Sequence, residues 1–270
     1  MTESRPFAVS ADGTEIHAAD YGSGRPIVLV HGGLGEAAHW QAIGDLLAPH
    51  YRIVGLERRL YGHSGTPKSP HSMAREADDV EAVLQKLGEP AIVVGHSSGG
   101  VVTLEAALRH PVNLKALVLY EPPVQHGAPL GGDHQRRAEE ALASGDADSG
   151  LLIFFRDIVG FEDQMIERMR SPMWRAGWDY MTTILPAQLE DNRAIRALPS
   201  GVERYGAVTV PALLLRGTDS PQHLQDRLVA LSEVLPNART VDLVGEGHNA
   251  NMSSPQLVAD AIEAFVQTLF

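Results

Sequence analysis

Apolar residues along this chain follow two alternating rhythms: short continuous runs, and longer stripes at helical spacing. The short runs, bounded by glycine, proline or charge, predict strands at Ile27–Val30, Arg52–Leu56, Ala91–Val94 and Ala116–Tyr120. The stripes between them predict helices over Glu36–Leu47, Met73–Leu87 and Ser98–Arg109. The second helix is sharply marked. Ala77, Val80, Val83, Leu84 and Leu87 share one face, and Gly88 stands where a left-handed terminal residue belongs. Ahead of this alternation, Phe7–Val9 and Ile16–Ala18 predict a hairpin turned at Asp12-Gly13. The rhythm returns with strand Ala212–Leu215, a helix around His223–Leu235, strand Thr240–Val244 and a closing helix Pro255–Phe270. Strands that are apolar throughout are buried on both faces by helices. The pattern therefore predicts an α/β fold with a mostly parallel, doubly wound sheet.

From Glu121 to about Gly206 the strands disappear. Helical patterns run over Gln135–Ala143, Leu151–Val159, Asp163–Arg170 and Trp174–Leu185. Residues 1–122 and 207–270 are thus expected to form the core, and residues 123–206 a helical cap inserted into it. An insertion that leaves one strand's C-terminal end and returns at the next would cover whatever stands there. Trp174 and Trp178, four apart on one predicted helix face, are candidates to line a substrate pocket; the alternative role for aromatics here is packing inside the cap. No internal repeat or low-complexity tract is present.

Composition narrows the class. The net charge is −12 with no run of lysine or arginine, which argues against nucleic acid and anionic membranes as partners. Cysteine is absent. Disulfides, thiolate nucleophiles and cysteine-type zinc sites are excluded together, and a reducing compartment fits. The stretch from Met1 to Gly13 is polar, and no apolar run approaches the roughly 18 residues that span a bilayer. A cytoplasmic protein is expected, with self-association into a homo-oligomer left open.

The chemistry concentrates at Ile92-Val93-Val94-Gly95-His96-Ser97-Ser98-Gly99-Gly100. A β-branched run enters a G-x-S-x-G turn and a helix follows. That is the order of a nucleophile elbow, where small neighbours let a strained serine project above the sheet. A serine hydroxyl needs a base within reach, and that base needs an acid behind it. Among twelve histidines, His248 alone follows the last strand in a glycine-rich loop, Gly245-Glu246-Gly247-His248. His31 and His96 flank the glycine turns in supporting roles, and the remaining histidines default to the surface. No pair has metal-ligand spacing with an open carboxylate, so no metal is expected. An oxyanion hole needs two converging N–H donors. The candidates are the amides of Ser98, directly after the nucleophile, and of Gly33 in His31-Gly32-Gly33-Leu34-Gly35. A dinucleotide phosphate is the weaker reading of that turn, because G-x-G-x-x-G is not matched.

These parts together resemble the α/β-hydrolase superfamily over nearly the whole chain: the HGG turn, the loop from Glu57-Arg58-Arg59 to Gly62-His63-Ser64, the elbow, the insertion and the G-x-G-H ending. The resemblance implies a cofactor-free Ser97–His248–acid triad. Its usual aspartate precedes a proline after the post-cap strand. Here Ser220 holds that place and Asp219 stands one residue earlier. Glu121, in Leu119-Tyr120-Glu121-Pro122-Pro123, is a second carboxylate at the end of the strand after the elbow helix. The fungal zearalenone lactonases are similar there, with a Ser-His-Glu triad, and also at Gly33-Leu34-Gly35-Glu36 and Pro172-x-Trp174. Both acids stay open, with Glu121 favoured. The function implied is hydrolysis of an ester or lactone of a fairly apolar small molecule through an acyl-enzyme. Alternatives are a carbon–carbon bond hydrolase, peptidase or acyltransferase of the same fold, a non-catalytic ligand receptor, or a cofactor-free oxygenase. Serine at the elbow argues against haloalkane dehalogenases and soluble epoxide hydrolases.

Overall fold

The apolar runs assemble into one sheet. A computed structural model describes residues 4–64 and 70–270; residues 1–3 and 65–69 of the expected core lie outside the described residues. In chain order the elements are β1 (Arg5–Val9), β2 (Glu15–Gly22), β3 (Arg25–Val30), α1 (Gln41–Leu47), β4 (Tyr51–Leu56), α2 (Met73–Leu87), β5 (Ala91–His96), α3 (Ser98–Arg109) and β6 (Leu114–Tyr120). Then come α4 (Gly132–Ala143), α5 (Ala147–Ile153), α6 (Asp163–Arg170), α7 (Arg175–Arg196), β7 (Ala212–Gly217), α8 (Gln222–Val234), β8 (Ala238–Leu243), α9 (Ala250–Ser253) and α10 (Pro255–Gln267). The strand order is β1-β2-β4-β3-β5-β6-β7-β8. The predicted hairpin forms, and β2 runs further than expected because it also pairs antiparallel with β4. From β4 to β8 all neighbours are parallel.

Each face of the sheet carries an apolar layer. Ile43 and Leu47 of α1 and Val258 and Ile262 of α10 cover one face, with Ile27, Ile53 and Val94 beneath them. Helices α2 and α3, α8 and the inserted helices close over the other. The strand order reverses between β3 and β5, since β4 lies beyond one and β6 beyond the other. A cleft opens at the strand ends of such a reversal. Register lines up those ends: Val30 pairs with Gly95, His96 with Tyr120, and Tyr120 with Leu215. The residues just past them, from His31, Ser97 and Glu121 onward, therefore emerge side by side.

In the core, the expected helix Glu36–Leu47 is a 3-10 turn over Ala37–Trp40 followed by α1. Two helices of the insertion also depart from the expected pattern. The predicted helix Leu151–Val159 is a short α5 followed by a π-helical turn over Phe154–Val159. The predicted helix Trp174–Leu185 starts one residue later and runs through Pro186 to Arg196. A proline removes one i→i−4 hydrogen bond and normally ends a helix. Here the buried face of Trp178, Leu185, Leu189 and Ile195 holds the helix on both sides of an exposed proline. Among the described residues, no helix is long and apolar enough to cross a membrane.

Candidate active site

Ser97 sits between β5 and α3 with φ 51 and ψ −128, a conformation that a side chain pays for in strain. The residues two before and two after it must be glycine. A Cβ on Gly99 would lie 2.3 Å from the His31 carbonyl oxygen, and one on Gly95 would lie 2.4 Å from Thr103 Oγ1. The turn thus packs directly on the end of β3. Ser98 opens α3, where its amide has no carbonyl one turn back to bond. Its hydroxyl is committed elsewhere: it donates to Asp191 Oδ2 at 3.1 Å and accepts from Arg58 Nη1 at 2.8 Å.

The structure brings Glu121 and His248 together. His248 Nδ1 donates to Glu121 Oε2 at 2.6 Å, and both groups are buried. Glu121 has a positive φ of 44, which turns its side chain off the end of β6. Its other oxygen, Oε1, accepts the Gly217 amide at 2.7 Å, so the carboxylate is held from both sides. Asp219 is not brought to His248. It is exposed, and its Oδ1 accepts from the neighbouring Thr218 hydroxyl at 3.2 Å. With Nδ1 engaged, the free nitrogen of His248 is Nε2, and Ser97 and His248 line the same cleft.

Two further imidazoles frame the site. His96 Nε2 donates to the His248 carbonyl at 2.8 Å, and the two rings are 4.6 Å apart. Burial, and then the neighbouring His248, push His96 well below the ordinary histidine range, so it stays neutral. His31 donates from Nδ1 to the Gly32 carbonyl and accepts the Arg58 amide at Nε2, which fixes the glycine turn. Burial and the nearby Arg58 lower its pKa to about 3. Tyr120 reaches across to the His248 loop: its hydroxyl donates to the Gly247 carbonyl and accepts the Ala250 amide.

Gly33 borders a cleft of about 600 Å³ that opens to solvent, lined also by Phe154, Phe155 and Ile158 from the π-helical turn and by Gln188 and Asn192 of α7. The two tryptophans require a correction. Neither Trp174 nor Trp178 lines this cleft. Trp174 precedes α7 on the surface and is 52% exposed. Trp178 is fully buried inside the insertion, where it packs on Phe155 and its Nε1 donates to Asp148. Its four-residue spacing from Trp174 spans the edge of the buried face rather than the pocket. The surface default also fails for two histidines. His223 lines the cleft and donates to the Val159 carbonyl, and His71 is partly buried against Asp191.

What sequence reasoning missed lies on α7 beyond Pro186. Gln188, Asp191 and Asn192 are buried polar residues past the expected helix end. Asp191 belongs to a cluster with His71 and Glu76 whose ligand atoms are close enough for a cation. That centre holds the Arg58 guanidinium, which donates to Glu76 at 2.5 Å and to Asp191 at 2.7 Å. Asp191 stands 120 residues from His71, so no spacing rule could bring it into this group.

Comparison with known proteins agrees with this fold. A model described as the Alpha/beta hydrolase family matches residues 27–261. The chain is similar to a non-heme haloperoxidase of Rhodococcus erythropolis, 38% identical over 251 residues that cover 87% of each chain. It is also similar to the solved structure of an alpha/beta hydrolase from Sphaerobacter thermophilus, at 28% identity and a TM-score of 0.77, covering 96% of this chain and 100% of the other. An esterase from Rhodococcus sp. ECU1013 is 26% identical, with a TM-score of 0.77 and full coverage of both chains.

Proposed function

This chain belongs to the alpha/beta hydrolase family, and from that premise we propose that it is a serine hydrolase acting on a carboxylic ester or lactone of a fairly apolar small molecule. The observation that carries this reading is the buried Glu121–His248 pair bordering the same cleft as the strained Ser97. Ser97 attacks the substrate carbonyl carbon as His248 Nε2 takes the hydroxyl proton. The carbonyl oxygen becomes an oxyanion between the Gly33 and Ser98 amides, at the positive end of α3. Glu121 holds Nδ1–H and stabilises the imidazolium. His96, kept neutral by its burial, leaves that positive charge unopposed at His248. The proton then passes to the leaving oxygen, and water, deprotonated by His248, releases the acid. The inserted helices act as a cap whose aromatic wall suits an apolar acyl or ring portion.

Ser97→Ala tests the reading. Hydrolysis of p-nitrophenyl butyrate should fall on the order of a thousandfold or more. Retention of most of that activity would overturn the triad. A second reading rests on the Rhodococcus erythropolis relative, whose name describes a haloperoxidase. The same acyl-enzyme captured by hydrogen peroxide instead of water would give a peracid, detectable by bromide oxidation that depends on Ser97.

A further inference from the structure

Gln188 is a buried polar residue with no role in the triad. It is 3% exposed and borders the cleft on the side of Gly33. Its Oε1 lies 1.5 Å from the point where a Cβ on Gly33 would project, so it occupies the side-chain space of that glycine. Gln188 Oε1 accepts no hydrogen bond from any described residue. A buried carbonyl oxygen left bare is costly, and each such group calls for an explanation.

The direction of this amide is set from outside the cleft. Glu139 is a carboxylate that can only accept, and the Leu189 carbonyl can only accept. Gln135 Nε2 donates to both, at 2.7 and 3.0 Å. Gln135 must therefore turn its Oε1 the other way, where it accepts Asn192 Nδ2 at 2.9 Å. Asn192 then presents Oδ1 to Gln188, which donates Nε2 to it at 2.9 Å. The last oxygen of this ladder is Gln188 Oε1, which lies buried against Gly33 at the wall of the cleft. Arg193 holds Glu139 from the surface side at 2.8 Å, which keeps the chain of amides from reversing. An acceptor dipole beside an oxyanion donor works against catalysis unless a donor covers it.

We propose that Gln188 is a specificity-determining residue whose Oε1 accepts a hydrogen bond from an O–H or N–H carried one or two bonds from the scissile carbonyl carbon of the substrate. The preferred substrate is then an α-hydroxy or α-amido ester rather than a plain acyl ester. This rests on the hydrolase reading above and names the substrate class of that same site. Gln135 is a positioning residue, because it orients Gln188 through Asn192 without bordering the cleft.

The experiment compares three methyl esters that differ at the α position: methyl mandelate, its O-methyl ether and methyl phenylacetate. A parallel pair, methyl N-acetylphenylglycinate and its N-methyl analogue, distinguishes an N–H source from an O–H source. Wild-type kcat/KM for at least one donor ester should exceed that of its capped analogue and of methyl phenylacetate by about tenfold or more. Gln188→Met should bring that ratio to within about twofold of unity. Gln135→Leu should lower the ratio with little change on methyl phenylacetate, a selectivity change that a purely structural role would not produce. Equal wild-type rates on donor and capped esters in both pairs would overturn the proposal and leave the hydrolase reading standing. Persistence of the full ratio in Gln188→Met would overturn it too. Absence of turnover on every ester, including methyl phenylacetate, would instead sink the hydrolase reading. Thermal-shift binding of mandelate against its O-methyl ether then still decides whether Oε1 selects a donor.

Discussion

Glu121 shows how much one residue's backbone can decide. Its positive φ turns the side chain off the strand, and the Gly217 amide and His248 Nδ1–H take one carboxylate oxygen each. In the proposed mechanism, Glu121→Gln removes the charge that stabilises the imidazolium and can place an NH2 group against Nδ1–H. It should lower kcat by about a thousandfold or more, measured on p-nitrophenyl butyrate. Asp219→Asn should stay within a few fold, because that exposed carboxylate accepts from Thr218 at the surface while Glu121 holds His248 Nδ1; the reverse ranking would displace Glu121 from the proposed triad. The two carboxylates were visible in the sequence, but their distances to His248 depend on loop geometry after three different strands. At the same scale, Trp174→Ala should leave KM for bulky and small esters alike, since the exposed indole does not border the cleft. Trp178→Phe should cost about 1 kcal/mol of stability through the lost bond to Asp148, read from chemical denaturation.

Among the elements, α7 carries the most unexpected consequence. Pro186 predicts an end, yet the helix continues and delivers Gln188, Asp191 and Asn192 to the site. Local propensity failed here because tertiary burial of the flanking turns outweighed one missing hydrogen bond. Pro186 is exposed, so Pro186→Ala removes no packing and restores a donor. Stability should rise by about 1–3 kcal/mol, seen as a higher denaturation midpoint. A drop in stability would mean that the proline itself supports the helix at that turn. The π-helical turn at Phe154–Val159 is a second such case: its aromatic run was legible, but the wider turn that faces Phe154, Phe155 and Ile158 into the cleft was not.

For the whole molecule, a buried ionic cluster ties the insertion to the sheet. Arg58 after β4, Glu76 on α2, Ser98 on α3 and Asp191 on α7 meet in one network, with His71 and Tyr61 on its edge. Asp191→Asn removes one charge of that network and should cost about 3 kcal/mol or more, measured by denaturant titration. Acid acts on the same region in a definite direction. His31 resists protonation down to about 3 because it is buried, while an unfolded histidine takes its proton near 6.5. Between those values the unfolded state binds more protons, so stability falls as pH drops from about 6.5 towards 3. His71 has the opposite sign. Burial lowers it, but Asp191 and Glu76 outweigh burial and raise it, so its contribution is complete below pH 6.5 and is lost as pH rises through the folded value. A series of melting temperatures from pH 4 to 7 should climb in the wild type and climb less steeply in His31→Gln. An unchanged slope in that variant would remove His31 from the account.

The fold itself lay in the chain's own periodicity. Continuous apolar runs, amphipathic stripes and the glycine turns at Gly32–Gly33 and Gly95–Gly100 specify parallel strands, covering helices and an elbow, because those signals are local and repeat with the geometry of the elements that they form. Ser97 and His248 could be singled out for the same reason: each stands in a turn whose composition is its own signal. What only the tertiary structure decided are relations between distant segments. Which carboxylate meets His248, how the ladder from Glu139 to Gln188 is directed, and why Arg58 can be buried at all depend on side chains brought together from different elements. Hydrogen bonds and ion pairs between different elements, such as Asn192 to Gln135, form across space with no preferred separation along the chain, and so they leave no period in the sequence to read.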